Sequence, residues 1–314
     1  MENCFFKRDV ISIENFSREE LDYLLDYAAE LKRNSSKFKE VMNGKVLVPL
    51  FFENSTRTSM SFKMAMHHLG GSVLDFDTDA SSLKKGETLS DTLKMVEGYF
   101  PDVVVLRHSK DGAAQLAADI LSVPLINAGD GQNQHPTQTM LDLFSIKEAK
   151  GEVDNLEIGL VGDLKYGRTV HSLAIALSKY KNVKIYFVSP ESLKVPQSFL
   201  NELREKGVIF FEYGLEELEN VAKKVDILYV TRVQRERFPE GPEGEEEYQK
   251  VTSRYCLKKA MLDGVRANLK IMHPLPKVDE IEISVDSTPY AYYFEQASNG
   301  IHIRKALLYL TTTK

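Results

Sequence analysis

The residues Ser55-Thr56-Arg57-Thr58 follow directly after the apolar run Val46–Phe52 and begin a segment with helical character. The first turn of a helix presents free N–H groups and the positive end of the helix dipole. The hydroxyl groups add hydrogen-bond donors, and Arg57 adds a planar, charged guanidinium. The spacing therefore predicts a site for a phosphate or a similar anion. Considered alone, ordinary N-capping by Ser55 or Thr56 explains the same residues equally well.

Five further polar segments also follow predicted strands directly. They are Arg107-His108, a loop that leads to His135-Pro136-Thr137-Gln138, Asp163–Thr169, Thr231–Gln234 and His273-Pro274-Leu275-Pro276. In open α/β sheets, ligands bind at the carboxyl ends of the strands. These segments contain Arg107, Arg168 and Arg232, in addition to Arg57. Because an acidic protein places arginines at its strand ends, we expect the ligands to be small anions.

His135 stands directly before Pro136, which is the first residue of a predicted helix that runs to Lys150. A helix N-terminus disfavours the charged imidazole, so the ring is expected to be neutral. A neutral N–H group can donate a hydrogen bond to a developing oxyanion. A structural role for His135 as a helix cap is an equally good interpretation.

Strand-like and helical segments alternate along the chain, which predicts an α/β fold with parallel sheets. The predicted strands are Val46–Phe52, Val73–Phe76, Val103–Leu106, Leu125–Asn127, Ile158–Gly162, Lys184–Val188, Val208–Phe211, Ile227–Val230 and Leu269–Met272. The Pro136–Lys150 helix separates four strands from five, so we expect two doubly wound domains linked by this helix. The predicted domains are residues 1–149 with about 295–314, and residues 150–294, because a C-terminal helix (about Asn299 to Leu310) is expected to return to the first domain.

Two local patterns make sharper predictions. Ser17-Arg18-Glu19-Glu20 is a capping box that predicts the start of a first helix. Pro49 lies inside the first predicted strand, where it removes a ladder donor. The sequence leaves open whether the strand is at a sheet edge there or carries a bulge.

Composition excludes several functional classes. The 314 residues carry 46 acidic and 40 basic side chains and a net charge of −6, whereas nucleic-acid binding predicts a basic excess. The two cysteines, Cys4 and Cys256, are far apart, which argues against disulfides and a Cys-rich zinc site. No apolar run approaches the roughly 20 residues of a membrane span, and a cytoplasmic location is expected. Dinucleotide and P-loop signatures are missing, so the predicted anion is a substrate.

The motifs together resemble those of the transcarbamoylase family. Ser55–Thr58, His135–Gln138 and His273–Pro276 are similar to its three hallmark tetrapeptides. The blocks Val161–Ser172 and Thr231–Gln234 resemble the aspartate-specific catalytic chains, and the resemblance covers nearly the whole sequence. The His-Cys-Leu-Pro and Ser-Met-Gly motifs of ornithine-specific members do not occur.

The resemblance implies which residues bind each substrate. Carbamoyl phosphate is expected to contact Ser55, Thr56, Arg57, Thr58, Arg107, His135, Gln138 and the backbone of Leu275 and Pro276. L-Aspartate is expected to contact Lys85, Arg168, Thr169, Arg232 and Gln234. The catalytic residues are expected to be Arg57, Thr58, Lys85, Arg107 and His135. Ser81, with Ser82 as a rival, and Lys85 are expected to reach into the site of a neighbouring subunit.

The resemblance also implies the reaction and the partners. The expected reaction transfers the carbamoyl group of carbamoyl phosphate to the amine of L-aspartate in pyrimidine synthesis, with no metal or organic cofactor. A homotrimer with shared active sites is implied, and a regulatory chain is possible. The alternatives are a carbamoyltransferase for another amine and a non-catalytic homologue. The acidic segment Pro239–Glu247 looks like an insertion beside Arg232.

Overall fold

The computed structural model describes residues 3–77, 86–233, 241, 245–246, 248–249 and 255–314. The chain divides into two compact units. Unit 1 contains Met1–Phe144 and Ser298–Lys314, and unit 2 contains Ser145–Ala297. Each unit has a fully parallel sheet, so the predicted α/β fold class is confirmed.

Unit 1 has a four-stranded sheet with the order β2-β1-β3-β4. The strands are β1 (Val46–Phe51), β2 (Ser72–Val73), β3 (Val103–His108) and β4 (Leu125–Asp130). The helices that begin in this unit are α1 (Arg18–Arg33), α2 (Thr56–His68), α3 (Leu89–Glu97), α4 (Ala113–Ile120) and α5 (Pro136–Lys150). β4 is buried along its whole length, as a strand with both faces covered should be.

Unit 2 has a five-stranded sheet with the order β7-β6-β5-β8-β9. The strands are β5 (Glu157–Val161), β6 (Lys184–Val188), β7 (Ile209–Tyr213), β8 (Ile227–Val230) and β9 (Lys270–Met272). The helices are α6 (Arg168–Leu177), α7 (Gln197–Glu205) and α8 (Leu218–Ala222), and α9 (Tyr293–Thr312) begins here and ends in unit 1. Short 3-10 helices are Ile13–Asn15, Ser35–Phe38, Glu191–Leu193, Leu215–Glu217, Lys259–Leu262 and Ile283–Ser287.

The capping box predicted at the start of α1 is present. The Ser17 side chain accepts a hydrogen bond from the Glu20 N–H, and the Glu20 carboxylate accepts one from the Ser17 N–H. The helix then buries one apolar stripe against the core, as its spacing predicts. The buried residues are Leu21, Leu24, Leu25, Ala28 and Leu31.

The position of Pro49 is explained by the short length of β2. Phe52 N–H donates to Arg107 on the β3 side, whereas Leu47 O accepts from Leu74 on the β2 side. Since these directions alternate along a strand, the nitrogen of Pro49 faces the β2 side. β2 pairs only as far as Leu47, so within the described residues Pro49 interrupts no ladder. The strand is therefore an edge at this point and has no bulge there.

Several predicted boundaries differ from the structure: β2 ends at Val73 instead of the predicted Phe76, and β7 runs to Tyr213 instead of Phe211. β3 runs on to His108 and β4 to Asp130, whereas the sequence suggested ends at Leu106 and Asn127. α9 begins at Tyr293, six residues before the predicted start. Polar residues in the extended parts obscured the true ends because periodicity depends on apolar side chains.

Most of the acidic segment 239–247 lies outside the described residues. Within it, Glu245 and Glu246 are helical. Among the residues that are described, no helix has the length and apolar content that crossing a membrane requires.

Arg266 connects two strands at the amino edge of the unit 2 sheet. Its Nη1 lies 2.9 Å from Asp226 Oδ1, and its Nη2 lies 2.5 Å from Glu157 Oε2. Burial raises the pKa of Glu157, but hydrogen bonds from Arg266 and Lys184 outweigh it, so the pKa lies below its usual value. Glu157 therefore stabilises the folded state above the ordinary glutamate pKa, and this contribution is lost as the pH falls through the lowered value.

We predict that Arg266→Met lowers the free energy of unfolding by about 1–2 kcal/mol at pH 7, because two carboxylates lose a shared donor. The partly exposed position of Arg266 keeps the loss below that of a buried pair. The difference from wild type should be smaller at an acid pH below the lowered pKa of Glu157, where this carboxylate is protonated. Urea denaturation at both pH values, followed by circular dichroism, measures this effect.

Lys223→Met is the matched control, because Lys223 pairs with Glu219 across one turn at the surface. Such pairs contribute only about 0.3–0.5 kcal/mol. The interpretation of the Arg266 cluster would be wrong if both variants lost the same stability, or if the Arg266→Met deficit persisted in acid.

Candidate active site

The predicted anion site lies at the N-terminus of α2. The helix begins at Thr56, and Ser55 occupies the N-cap position. The Ser55 side chain makes no capping hydrogen bond, so capping does not account for its hydroxyl group. Thr58 is buried in the first turn, and no acidic residue is present in that turn. The local arrangement therefore leaves hydroxyl and backbone donors at a positive helix end.

Arg57 lies in the same turn, and its charge interacts with that of a second guanidinium, Arg107. The side chain is exposed, and within the described part of the chain it makes no ion pair. Partial desolvation and then the charge of Arg107 lower the pKa of Arg57. Two like charges are thus held close together, an arrangement that an anion between them would stabilise.

Arg107 is held rigidly near the end of β3. Its Nη1 donates to Ala128 O at 3.0 Å, and its Nη2 donates to Glu53 Oε1 at 2.8 Å. The residue is 8% exposed, and its buried Nε has no hydrogen-bond partner within the described structure. An unsatisfied buried donor is costly, and a bound anion would supply the missing acceptor. Glu53 neutralises part of the local positive charge.

His108, the next residue, takes a structural role. Its Nδ1 accepts a hydrogen bond from the Lys110 N–H at 3.0 Å, and its ring lies 5.4 Å from that of Phe52. Burial and the charge of Lys110 lower the pKa of His108.

His135 is buried at the N-terminus of α5, directly before Pro136. Its carbonyl oxygen accepts from the Gln138 N–H at 2.9 Å, and Thr137 Oγ1 lies 3.4 Å from His135 Nδ1. The imidazole of His135 thus lies at a helix N-terminus, as predicted. The carbonyl oxygen of His135 also closes the first turn of α5.

The loop before His135 is organised by Asp130, a buried residue that the sequence analysis missed. Its Oδ1 accepts from the Gln134 N–H and from Asn127 Nδ2, at 3.1 and 2.9 Å. Its Oδ2 accepts from the Gly112 N–H and from Asn133 Nδ2, both at 3.1 Å. These bonds join the loop to α4 and to β4, so they fix the chain that delivers His135. The available signal was an acidic residue just after the predicted strand Leu125–Asn127.

Gln138 is oriented by a second buried carboxylate that the sequence analysis missed. Its Nε2 donates to Asp142 Oδ1 at 3.0 Å, and Asp142 is fully buried one turn further along α5. Because this bond uses one amide hydrogen, it sets the direction of the remaining polar atoms of the carboxamide. The spacing of four residues was the only sequence signal.

In unit 2, the two predicted carboxylate-binding arginines follow neighbouring strands. Arg168 is the first residue of α6, after the loop that follows β5, and Thr169 is next to it. Arg232 follows β8 by two residues. β5 and β8 are paired in parallel, so both arginines leave the same edge of the sheet, and both are partly exposed. Gln234, Lys85, Ser81 and Ser82 lie outside the described residues.

The His273–Pro276 segment follows β9 and contains a cis Leu275–Pro276 peptide bond, as the resemblance implies. His273 Nδ1 accepts from the Leu275 N–H at 2.8 Å, and His273 Nε2 lies 2.7 Å from Glu280 Oε1. These contacts place the imidazole proton on Nε2. Burial raises the pKa of Glu280, but the bond from His273 and backbone N–H groups lower it overall.

No group of three or more His, Cys, Asp or Glu side chains in the described ranges is arranged to hold a metal ion. The described residues of the candidate site supply oriented hydrogen-bond donors, guanidinium charge and an imidazole.

Comparison with known proteins assigns the family. The aspartate/ornithine carbamoyltransferase carbamoyl-P binding domain matches residues 8–148, and the Asp/Orn binding domain of the same family matches residues 154–311. The chain belongs to the aspartate and ornithine carbamoyltransferase family. Its two family domains together span nearly the whole sequence.

Relatives in this family are similar over almost their full length. The aspartate carbamoyltransferase catalytic subunit of Thermococcus onnurineus is 54% identical over 97% of this chain and 96% of its own length. The corresponding subunit of Vibrio vulnificus is 49% identical over 99% and 98%. Aspartate transcarbamoylase from Trypanosoma cruzi, solved with N-(phosphonacetyl)-L-aspartic acid, has a TM-score of 0.91 at 36% identity, over 98% of this chain and 97% of that one. The catalytic subunit of M. jannaschii aspartate transcarbamoylase has a TM-score of 0.88 at 46% identity, over 96% of this chain and 97% of that one.

Proposed function

We propose that this protein is the catalytic chain of an aspartate carbamoyltransferase. It transfers the carbamoyl group of carbamoyl phosphate to L-aspartate and forms N-carbamoyl-L-aspartate and phosphate, a step of pyrimidine synthesis. The proposal rests on the pair of guanidiniums, Arg57 and Arg107, beside the N-terminus of α2. The buried Nε of Arg107 has no hydrogen-bond acceptor within the described structure. Support comes from the relatives with this name and from a structural neighbour solved with carbamoyl phosphate and aspartate.

The phosphate half of the reaction is assigned to unit 1. Ser55, Thr56 and the α2 N-terminus bind the phosphate oxygens together with Arg57 and Arg107. The carbamoyl group contacts His135 and Gln138, with the backbone of Leu275 and Pro276 completing the substrate's surroundings.

The chemical step is nucleophilic addition followed by loss of phosphate. The neutral amine of aspartate attacks the carbonyl carbon and forms the C–N bond. As the tetrahedral intermediate collapses, the C–O bond to phosphate breaks, and the departing phosphate takes up the amine proton. His135, Arg57 and Thr58 donate to the developing oxyanion. Arg57 and Arg107 stabilise the negative charge of the departing phosphate. Catalysis thus depends on orientation and electrostatic stabilisation.

The acceptor half is assigned to Arg168, Thr169, Arg232 and Gln234, with Lys85 from a neighbouring subunit. Two arginines bind a dicarboxylate by charge-assisted hydrogen bonds. A cationic acceptor such as ornithine would be repelled by the same charges. This argument favours aspartate over another amine as the acceptor.

One assay separates the candidate functions. Purified protein is incubated with carbamoyl phosphate and either L-aspartate or L-ornithine, and the carbamoylated product is measured colorimetrically. Product with aspartate alone supports the proposal. Product with ornithine alone identifies a different transferase, and absence of product with either amine favours a non-catalytic homologue.

We predict that Arg57→Ala lowers kcat by about 10²–10³, because it removes a preorganised donor to the oxyanion and the leaving phosphate. Initial rates at saturating substrates measure the loss. Arg33→Ala is the control, since Arg33 is an exposed arginine at the end of α1, and its activity should equal that of wild type. Normal turnover in a folded Arg57→Ala protein would refute the assignment of Arg57.

Arg232→Ala tests the assignment of the acceptor site. We predict a rise of at least about tenfold in the KM for L-aspartate, because a carboxylate loses a charge-assisted hydrogen bond. The KM for carbamoyl phosphate should change by less than about twofold. Steady-state kinetics with each substrate varied in turn provide both values. A parallel loss for both substrates would show that Arg232 does not belong to a separate aspartate site.

We further propose that the protein is a cytoplasmic homotrimer whose active sites are shared between subunits. The proposal follows from the family resemblance of the segment that contains Ser81 and Lys85. A regulatory chain remains a possible additional partner. Light scattering of the purified protein measures the number of subunits directly.

Shared sites make a specific prediction about mixed trimers. Arg57→Ala and Lys85→Ala homotrimers should each be nearly inactive. When the two variants are dissociated, mixed and reassembled, every hybrid trimer contains one site with both residues intact. We therefore predict that activity returns to as much as about one third of the wild-type value. Verified hybrids without activity would contradict a site built from two subunits.

A further inference from the structure

Tyr255 is a buried tyrosine whose hydroxyl group lies between two carbonyl oxygens. The residue is 1% exposed, and its Oη lies 2.7 Å from Thr231 O and 3.1 Å from Val161 O. A phenol has a single proton to donate. The shorter distance identifies Thr231 O as its principal acceptor.

The two carbonyl groups differ in how much they depend on Tyr255. Val161 O also accepts from the Thr231 N–H at 2.9 Å and from Thr231 Oγ1 at 3.0 Å. Among the described residues, Tyr255 supplies the hydrogen bond that we find for Thr231 O. Loss of the hydroxyl would therefore leave Val161 O satisfied and Thr231 O without this donor.

The surroundings of this hydroxyl are tightly packed. Gly162 has a φ of +113°, and a Cβ built there would lie 2.4 Å from Thr231 O and 2.6 Å from Tyr255 Oη. Only glycine adopts this conformation readily and leaves the required space. The contact thus brings together the turn after β5 and the end of β8.

Tyr255 also lies close to the segment that follows β9. A small cavity beside its ring is lined by Arg232 and Glu280, and Glu280 is the partner of His273 after β9. Burial, followed by the nearby charge of Glu280, raises the pKa of Tyr255 well above its ordinary value. The hydroxyl therefore keeps its proton, and can donate it in a hydrogen bond, beyond the ordinary tyrosine pKa.

We propose that Tyr255 is a positioning residue for the acceptor site. Its hydroxyl holds the Thr231 carbonyl and so fixes the orientation of the peptide that joins Thr231 to Arg232. The direction of the Arg232 side chain follows from this peptide. Tyr255 itself contacts no substrate in this assignment, and its effect on aspartate binding is transmitted through the backbone. The inference rests on the proposed aspartate carbamoyltransferase function.

Tyr255→Phe tests the proposal, because it removes only the hydroxyl oxygen. The KM for L-aspartate should rise about tenfold, the scale expected when a buried acceptor loses its donor. The KM for carbamoyl phosphate should stay within about twofold of wild type. The matched control is Tyr186→Phe, which removes the hydroxyl that donates to Glu157 Oε1 at 3.3 Å in the same unit. This control should leave both KM values unchanged. Melting temperatures of both variants monitor stability.

The outcomes distinguish failure of this inference from failure of the proposed function. A wild-type protein that does not carbamoylate aspartate overturns both. An active wild type with equal aspartate KM values for Tyr255→Phe and Tyr186→Phe overturns only the role of Tyr255. A Tyr255→Phe protein that does not fold, or that loses affinity for both substrates together with thermal stability, shows that the hydroxyl is structural and also overturns this role.

Discussion

Repulsion between Arg57 and Arg107 is the constraint around which the carbamoyl-phosphate half is organised. The two guanidiniums repel each other. Partial desolvation and then the charge of Arg107 lower the pKa of Arg57. The fold keeps the two side chains near each other because Arg107 donates hydrogen bonds to Ala128 O and Glu53, while Arg57 lies in the first turn of α2. A doubly or triply charged phosphate relieves the repulsion when it binds, and the relief increases as more negative charge moves onto the phosphate. In the proposed site, the same arrangement would favour the leaving phosphate over the intact substrate.

Buried polar groups support the functional side chains in both units. Asp130 organises the loop before His135, Asp142 orients Gln138, and Tyr255 holds the backbone before Arg232. Each of these groups is almost inaccessible to water, so its hydrogen bonds are strong and their loss is costly. A functional residue that is partly exposed can in this way retain a defined direction. In the proposed function, these supporting groups would hold the substrate-binding side chains in place.

The sequence predicted the order of strands and helices better than the supports of the site. Apolar runs located the strands, and Ser17 and Pro136 marked two helix starts, because these signals are local. The supporting partners are distant in sequence: Glu53 meets Arg107 across 54 residues, and Tyr255 meets Thr231 across 24. Only the folded chain brings such pairs together. The effect of Pro49 on strand pairing likewise could not be predicted from local sequence, since it depends on where β2 ends.

Arg57 and Arg168 lie at positions where the local electrostatics is unfavourable for a positive charge. Both lie in the first turn of a helix, where the dipole disfavours positive charge, and α2 and α6 have no acidic residue in that turn. By contrast, α1 has Glu19 and Glu20 in its first turn, and α3 has Asp91. Helix stability therefore does not explain arginines at these two N-termini. A ligand anion would interact favourably with the helix end and the guanidinium together. The two strand-to-helix turns, one in each unit, therefore suit the proposed binding of a phosphate in the first and of a carboxylate in the second.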